Sequence, residues 1–172
     1  MDIYTDCAGS LNDFGVSFVI LNDDNEEIFG FKTSTEHLNC EFNSSNEKSS
    51  TSIGECYAIY KALSFIKGNN KKEKKEKRVI YTDNLHVFLL LNKKCKCKKK
   101  NKTEDNNLLL KIANKCKDLK HNKNVEIRWI KAHIGIYGNE IADTVAKLSL
   151  KSGLKPDFKL NSNFLNEYKK AS

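Results

Sequence analysis

The triplet Tyr-Thr-Asp closes two short apolar segments of this chain, Ile3-Tyr4-Thr5-Asp6 and Val79-Ile80-Tyr81-Thr82-Asp83, with 77 positions separating the two aspartates. Both segments are rich in β-formers and bounded by polar residues, so each reads as a strand with an aspartate at its C-terminal end. If the two strands are parallel neighbours, those ends lie side by side, about 5 Å apart between backbones. Two carboxylates that close repel unless one holds a proton or a cation sits between them. A hard divalent ion with oxygen ligands, Mg2+ or Mn2+, is the fitting cation. An aspartate ending a single strand is often only a turn former or a helix cap; it is the matched pair that points to a cation.

The rest of the chain supplies a mixed sheet around that pair. Residues 2–5, 15–21 and 27–32 read as three strands with short connections, which favours antiparallel neighbours. Residues 36–51 are polar and read as irregular. Ser52-Ile53-Gly54-Glu55 fits a capping box, and Ala58, Ile59, Ala62, Leu63 and Ile66 follow at helical spacing as far as Gly68. Strand 79–82, helices over 85–92 and 104–120, strand 125–130 and helix 138–150 complete the order. Strands adjacent early and separated by helices later imply an α/β fold. The expectation is a five-stranded mixed sheet, three antiparallel strands then parallel ones, with helices on both faces. The compact domain is expected over residues 1–153. A C-terminal extension, 154–172, carries Phe158, Leu160, Phe164, Leu165 and Tyr168 and reads as a possible short amphipathic helix.

Charge divides the chain. Thirty Lys and Arg against 22 Asp and Glu give +8, but residues 67–123 alone carry 19 basic and 6 acidic residues. The remainder is therefore mildly acidic, which excludes a uniformly basic coat and locates any polyanion contact in one segment. No apolar run approaches the ~18 residues of a membrane span, and the acidic start Met1-Asp2-Ile3-Tyr4-Thr5-Asp6 lacks the form of a secretory signal. The expected location is intracellular, cytoplasmic or nuclear. Six cysteines, at 7, 40, 56, 95, 97 and 116, form no C-x-x-C pair and read as free thiols.

Three further residues have two readings each. Glu55 either closes the capping box with Ser52 or projects from the first helical turn towards the strand ends. Asp143 lies about 200° around its helix from Ile141, so it is either solvated or part of a carboxylate cluster. His133, in a glycine-bearing loop between a strand and a helix, is either a surface residue or a proton carrier near neutral pH.

Tyr4-Thr5-Asp6, Gly54-Glu55 opening a helix, Tyr81-Thr82-Asp83 and the block from Trp129 to Asp143 together resemble type 1 ribonuclease H. The last block, Trp-x3-His-x5-Asn-x3-Asp, is the most specific and is similar to versions carried by retroelement reverse transcriptases. The resemblance covers about residues 1–150. It implies an endoribonuclease that hydrolyses the RNA strand of RNA–DNA hybrids with two Mg2+ ions (Mn2+ as a substitute), leaving 5′-phosphate and 3′-hydroxyl ends. Asp6 would bridge both ions, Glu55 and Asp83 would hold one, and Asp143 the other, with His133 assisting proton movement or product release.

The same resemblance implies an RNA–DNA hybrid as partner and no membrane. Lys48, Ser50, Thr51, Ser52, Asn84 and Asn139 are the candidate nucleic-acid contacts near the cut, where 2′-hydroxyls distinguish RNA from DNA. Lys98, Lys99 and Lys100, in the basic run 93–102, stand where cellular members carry a basic protrusion. The chain departs from the pattern in three places: Cys7-Ala8 replaces the usual Gly-Ser, Thr51 and Ser52 replace amides, and Leu85 replaces a Gln. Two other functions remain compatible with such a fold: a DNA strand transferase or resolvase, and a non-catalytic nucleic-acid-binding module.

Overall fold

The computed structural model describes residues 1–9, 12–23, 25–45, 50–68, 77–92, 107–121 and 124–151, with the backbone of 158–160. Strand β1 (Asp2–Gly9) pairs antiparallel with β2 (Asp13–Asn22), and β2 pairs antiparallel with β3 (Asn25–Ser34). On its other side β1 pairs parallel with β4 (Arg78–Thr82), which in turn pairs parallel with β5 (Val125–Trp129). The five expected strands are present. A sixth, β6 (Phe158–Leu160), adds antiparallel to β3, giving the order β5-β4-β1-β2-β3-β6. The expected five-stranded sheet is thus extended by one short edge strand at 158–160, within the C-terminal extension; the other residues of 154–172, including Phe164, Leu165 and Tyr168, lie outside the described residues. Phe-Lys-Leu alternates with period two, and β3 offers it an open edge.

Residues 36–51 also depart from expectation, because α1 (Thr35–Glu41) occupies their first part. These seven residues, about two turns, show no apolar periodicity; their signal is the cap, in which Ser34 Oγ accepts the His37 N–H at 3.1 Å. Helix α2 (Thr51–Gly68) begins two residues earlier than the capping box placed it, since a Ser52 cap would make Ile53 the first helical residue. Helices α3 (Leu85–Asn92) and α4 (Leu108–His121) are capped by asparagines. Asn84 Oδ1 accepts the Val87 N–H at 3.0 Å, and Asn107 Oδ1 accepts the Leu110 N–H at 2.9 Å. Helix α5 (Tyr137–Lys151) closes the domain. None of the described helices is long and apolar enough to cross a membrane.

The apolar residues form two layers, one on each face of the sheet. Ile3, Phe18, Ile20 and Ile80 pack with Ile59 and Leu63 of α2 and Leu108 and Ile112 of α4. Val19 and Ile28 pack with Ile141, Val145 and Leu148 of α5 on the other face. Because both faces are covered, residues 14–20 of β2 are all buried, which explains their near-continuous apolar run. Alternation along β1 follows: Ile3 lies on the α2 face and Tyr4 on the α5 face, so Asp6 follows Tyr4 and Cys7 follows Ile3.

Helix α5 approaches β2 so closely that only small residues fit beneath it. A Cβ at Gly15 would lie 2.0 Å from the Ala146 carbonyl oxygen and 2.5 Å from the Leu150 nitrogen. Nearby, the buried Ser17 hydroxyl donates to the Ala142 carbonyl at 2.6 Å. Gly15→Ala is expected to destabilise the fold by about 2–3 kcal/mol, since the obstruction is backbone and cannot rotate away. Gly68→Ala, with nothing within 4 Å of the new Cβ, is expected to change stability by less than about 0.5 kcal/mol. Urea unfolding of the two variants checks the contrast.

Candidate metal and catalytic site

The parallel register of β1 and β4 places the first two carboxylates. Asp2↔Val79, Ile3↔Ile80 and Tyr4↔Tyr81 pair, so Asp6 and Asp83 each lie two residues beyond the last pair. The Tyr4 and Tyr81 rings stack with centroids 4.8 Å apart, and Thr5 Oγ1 donates to the Tyr81 carbonyl at 3.1 Å, which continues the alignment past that pair. Here the two strands part. β4 turns into α3, with the Asn84 N–H donating to Thr82 Oγ1 at 3.2 Å. β1 runs on to Gly9 against β2 alone, so Asp6 is mid-strand but lies where β1 loses its parallel neighbour.

Glu55, in the first turns of α2, fills the gap left above β4. Ligand oxygens of Asp6, Glu55 and Asp83 all lie within 4.8 Å of one another. The capping-box reading of Glu55 fails because Ser52 already lies inside the helix, where its hydroxyl faces His86 Nδ1 at 3.3 Å. Asp6 and Glu55 are 6% and 5% exposed; Asp83 is half-buried. Burial, then the Asp83 charge, pushes the Asp6 carboxyl up to about 7, against the Cys7 N–H that donates to its Oδ1 at 2.6 Å. Burial and the Asp6 and Asp83 charges likewise hold Glu55 well above the ordinary carboxyl range. The neighbouring Cys7 thiol, raised by burial and by Glu55, stays neutral.

Helix α5 brings the fourth carboxylate and a positioning amide. A Cβ at Gly138 would fall 2.2 Å from the Tyr4 ring, so this glycine seats the start of α5 against β1. The next residue, Asn139, is 1% exposed and donates from Nδ2 to Asp83 Oδ2 at 3.3 Å. Asp143, one turn on, is half-buried, and its charge acts on Asp6. It lies outside the three-carboxylate group and is held by Lys147, whose Nζ is 2.6 Å from Asp143 Oδ2. His133 is exposed on the preceding loop with φ 52°. From the end of β5, Trp129 Nε1 donates to the Asp83 carbonyl at 3.0 Å.

The structure thus brings together Asp6, Glu55 and Asp83, sets Asp143 where its charge acts on Asp6, and leaves His133 exposed on the loop before α5. Ser50 and Thr51 are exposed at the start of α2. Asn84 serves as the α3 cap, and Asn139 is a buried partner of Asp83. Lys48, Lys98, Lys99 and Lys100 lie outside the described residues, as do Cys95 and Cys97; Cys7, Cys40, Cys56 and Cys116 are free. Sequence reasoning missed Lys147, whose signal was its i+4 spacing from Asp143, and the Trp129 and Ser52–His86 contacts, which carry no local signal.

The donor set fits a divalent cation. Three carboxylates converge, and Glu55 Oε2 is buried without a hydrogen-bond partner; an oxygen so placed accepts from a hard cation what no donor supplies. The RNase H family model matches residues 1–151. No curated protein matches the chain. Among solved structures, RNase H1 from the halophilic archaeon Halobacterium salinarum NRC-1 is 16% identical with a TM-score of 0.59, the match covering 88% of this chain and 97% of that one. LC11-RNase H1, solved with an RNA/DNA hybrid, is 15% identical (TM-score 0.56), the match covering 87% and 99%. The foamy viral protease-reverse transcriptase, also solved with an RNA/DNA hybrid, is 15% identical (TM-score 0.58); that match covers 88% of this chain and 20% of the larger protein.

The buried acids make a pH prediction. The folded-state value of Asp6, about 7, exceeds its unfolded value of about 3.9, so between these limits the folded chain binds more protons than the unfolded one. Stability of the metal-free protein therefore falls as pH rises from about 4 to 7, by up to roughly 1.4 kcal/mol per pH unit from this group. Asp6→Asn is expected to flatten that decline, and urea unfolding in EDTA across this range measures it. A wild-type slope equal to that of the variant would contradict the assignment.

Proposed function

The chain belongs to the RNase H family and is an enzyme of that kind; on this premise we propose that it hydrolyses the RNA strand of RNA–DNA hybrids with two divalent ions, Mg2+ or Mn2+. The observation that carries the reading is the convergence of Asp6, Glu55 and Asp83 within 4.8 Å, with Asp143 adjacent. Asp6 would contribute to both ions. Glu55 and Asp83 would hold one, and Asp143 the other once it is released from Lys147. Held by these residues, divalent ions would supply activation of a water and charge stabilisation for the departing 3′-oxygen, and the products would carry 5′-phosphate and 3′-hydroxyl ends.

The protein's own groups orient and tune this site. The Cys7 N–H fixes one Asp6 oxygen, and the Asn139 amide fixes one of Asp83, so neither carboxylate spends rotational freedom when an ion arrives. His133, exposed on the loop between β5 and α5, would carry a proton or help release product. Ser50 and Thr51, with Lys48 before them in the chain, would contact the RNA strand's 2′-hydroxyls and nearby phosphates. Lys98, Lys99 and Lys100 would grip the backbone away from the cut, a contact that weakens steeply with salt.

The test offers end-labelled RNA–DNA hybrid, duplex RNA and duplex DNA with Mg2+. Only the RNA of the hybrid is expected to be cut, and Asp6→Asn should lower the rate by about three orders of magnitude, roughly 4 kcal/mol in barrier. His133→Ala should cost roughly ten- to a hundredfold. Equal cutting of duplex DNA would favour the strand-transferase or resolvase reading, and binding without cutting a non-catalytic module.

A further inference from the structure

Cys7 and Gly54 meet directly beneath the carboxylate cluster. Cys7 follows Asp6 on β1, and Gly54 precedes Glu55 on α2. A Cβ built on Gly54 would lie 2.1 Å from Cys7 Sγ and 3.3 Å from Cys7 Cβ, far inside contact distance. The Cys7 sulfur therefore occupies the space that a side chain at position 54 would need. Asp6 and Cys7 point to opposite faces of the sheet, so the thiol faces α2 while the carboxylate faces α5 and the strand ends. Glu55 must reach past the end of β4 to join Asp6, and it can do so only if the first turns of α2 lie close on β1.

We propose that Cys7 and Gly54 form a size-matched joint that sets how closely Glu55 approaches Asp6, which makes Cys7 a positioning residue for the cluster. Bulk on the strand is matched by its absence on the helix. The Cys7 backbone acts in the same direction, since its N–H fixes Asp6 Oδ1 at 2.6 Å. Both components adjust one distance, that between the Asp6 and Glu55 oxygens. A side chain added at 54 lifts the start of α2, and Glu55 moves with it. Phe14 is the secondary neighbour, its Cδ1 2.9 Å from the same hypothetical Cβ. That contact is the lesser of the two, since 2.9 Å is just inside the closest approach of a Cβ whereas 2.1 Å overlaps the sulfur outright.

The effect on metal binding rests on the metal-site reading above; the joint itself does not. The experiment is a double-mutant cycle of wild type, Gly54→Ala, Cys7→Gly and the pair, with two readouts: Mn2+ affinity by electron paramagnetic resonance without nucleic acid, and metal-free stability by urea unfolding. Gly54→Ala is expected to weaken Mn2+ binding at least tenfold and to lower stability. The double variant is expected to match Cys7→Gly within about threefold in affinity, because removing the sulfur makes room for the new methyl group. Gly54→Ala binding Mn2+ like wild type, or a double variant no better than Gly54→Ala, would overturn the proposal. If Gly54→Ala does not fold, the double variant decides alone: folded and equal to Cys7→Gly supports the joint, unfolded overturns it. If wild type binds no Mn2+, the metal-site reading fails, and the stability cycle still decides the joint by whether Cys7→Gly relieves the defect of Gly54→Ala.

Discussion

Mutual repulsion among buried carboxylates is the constraint around which this fold is arranged. Asp6 and Glu55 are almost fully removed from water, and Asp83 stands within 4.8 Å of both. Three negative charges so placed are unstable unless protons or a cation neutralise them. The fold holds the carboxylates together against that cost, through parallel pairing of β1 with β4, a close α2 and a tightly seated α5. Stability spent on holding like charges together is characteristic of sites built for function.

The supporting structure can be followed outward from the cluster. Stacked Tyr4 and Tyr81 keep the two strands in register up to the point where they part, and Gly138 packs against the outer face of the Tyr4 ring. That contact brings Asn139 to Asp83 and, one turn on, Asp143 to the side of Asp6. Gly15 and Ser17 let α5 rest on the backbone of β2, which anchors the helix at its far end. Lys147 supplies a resident positive charge to Asp143, the acid furthest from the others. The site is thereby asymmetric: three acids await a cation, while the fourth already has a counter-ion.

Much of this could be read from the sequence, for identifiable reasons. The repeated Tyr-Thr-Asp ending placed Asp6 and Asp83 together because identical triplets on parallel neighbours fall into the same register. Covered faces explained the apolar run of β2, and helix periodicity located α2 and α5. Glu55 could not be settled, because Ser52 and Glu55 satisfy the spacing of a cap as well as that of a site. A two-residue shift of the helix start, visible only in three dimensions, separates the two. Helix α1 was hidden because a seven-residue polar helix has no periodicity to detect, and β6 because a three-residue strand is defined by the edge it joins. The hydrogen bond from Asn139 to Asp83, an aspartate 56 residues away, carries no local signal in the chain.

The central claim is that the acids at the parting of β1 and β4 are held ready for divalent ions. Calorimetric titration of Mg2+ into the nucleic-acid-free protein at pH 7, repeated in buffers of different ionisation heat, tests it directly. Saturable binding accompanied by proton release is predicted, because Asp6 is partly protonated at that pH and must lose its proton to bind. Asp6→Asn should abolish both the binding heat and the released proton. No saturable heat in the wild type, or the same isotherm in Asp6→Asn, would contradict the account.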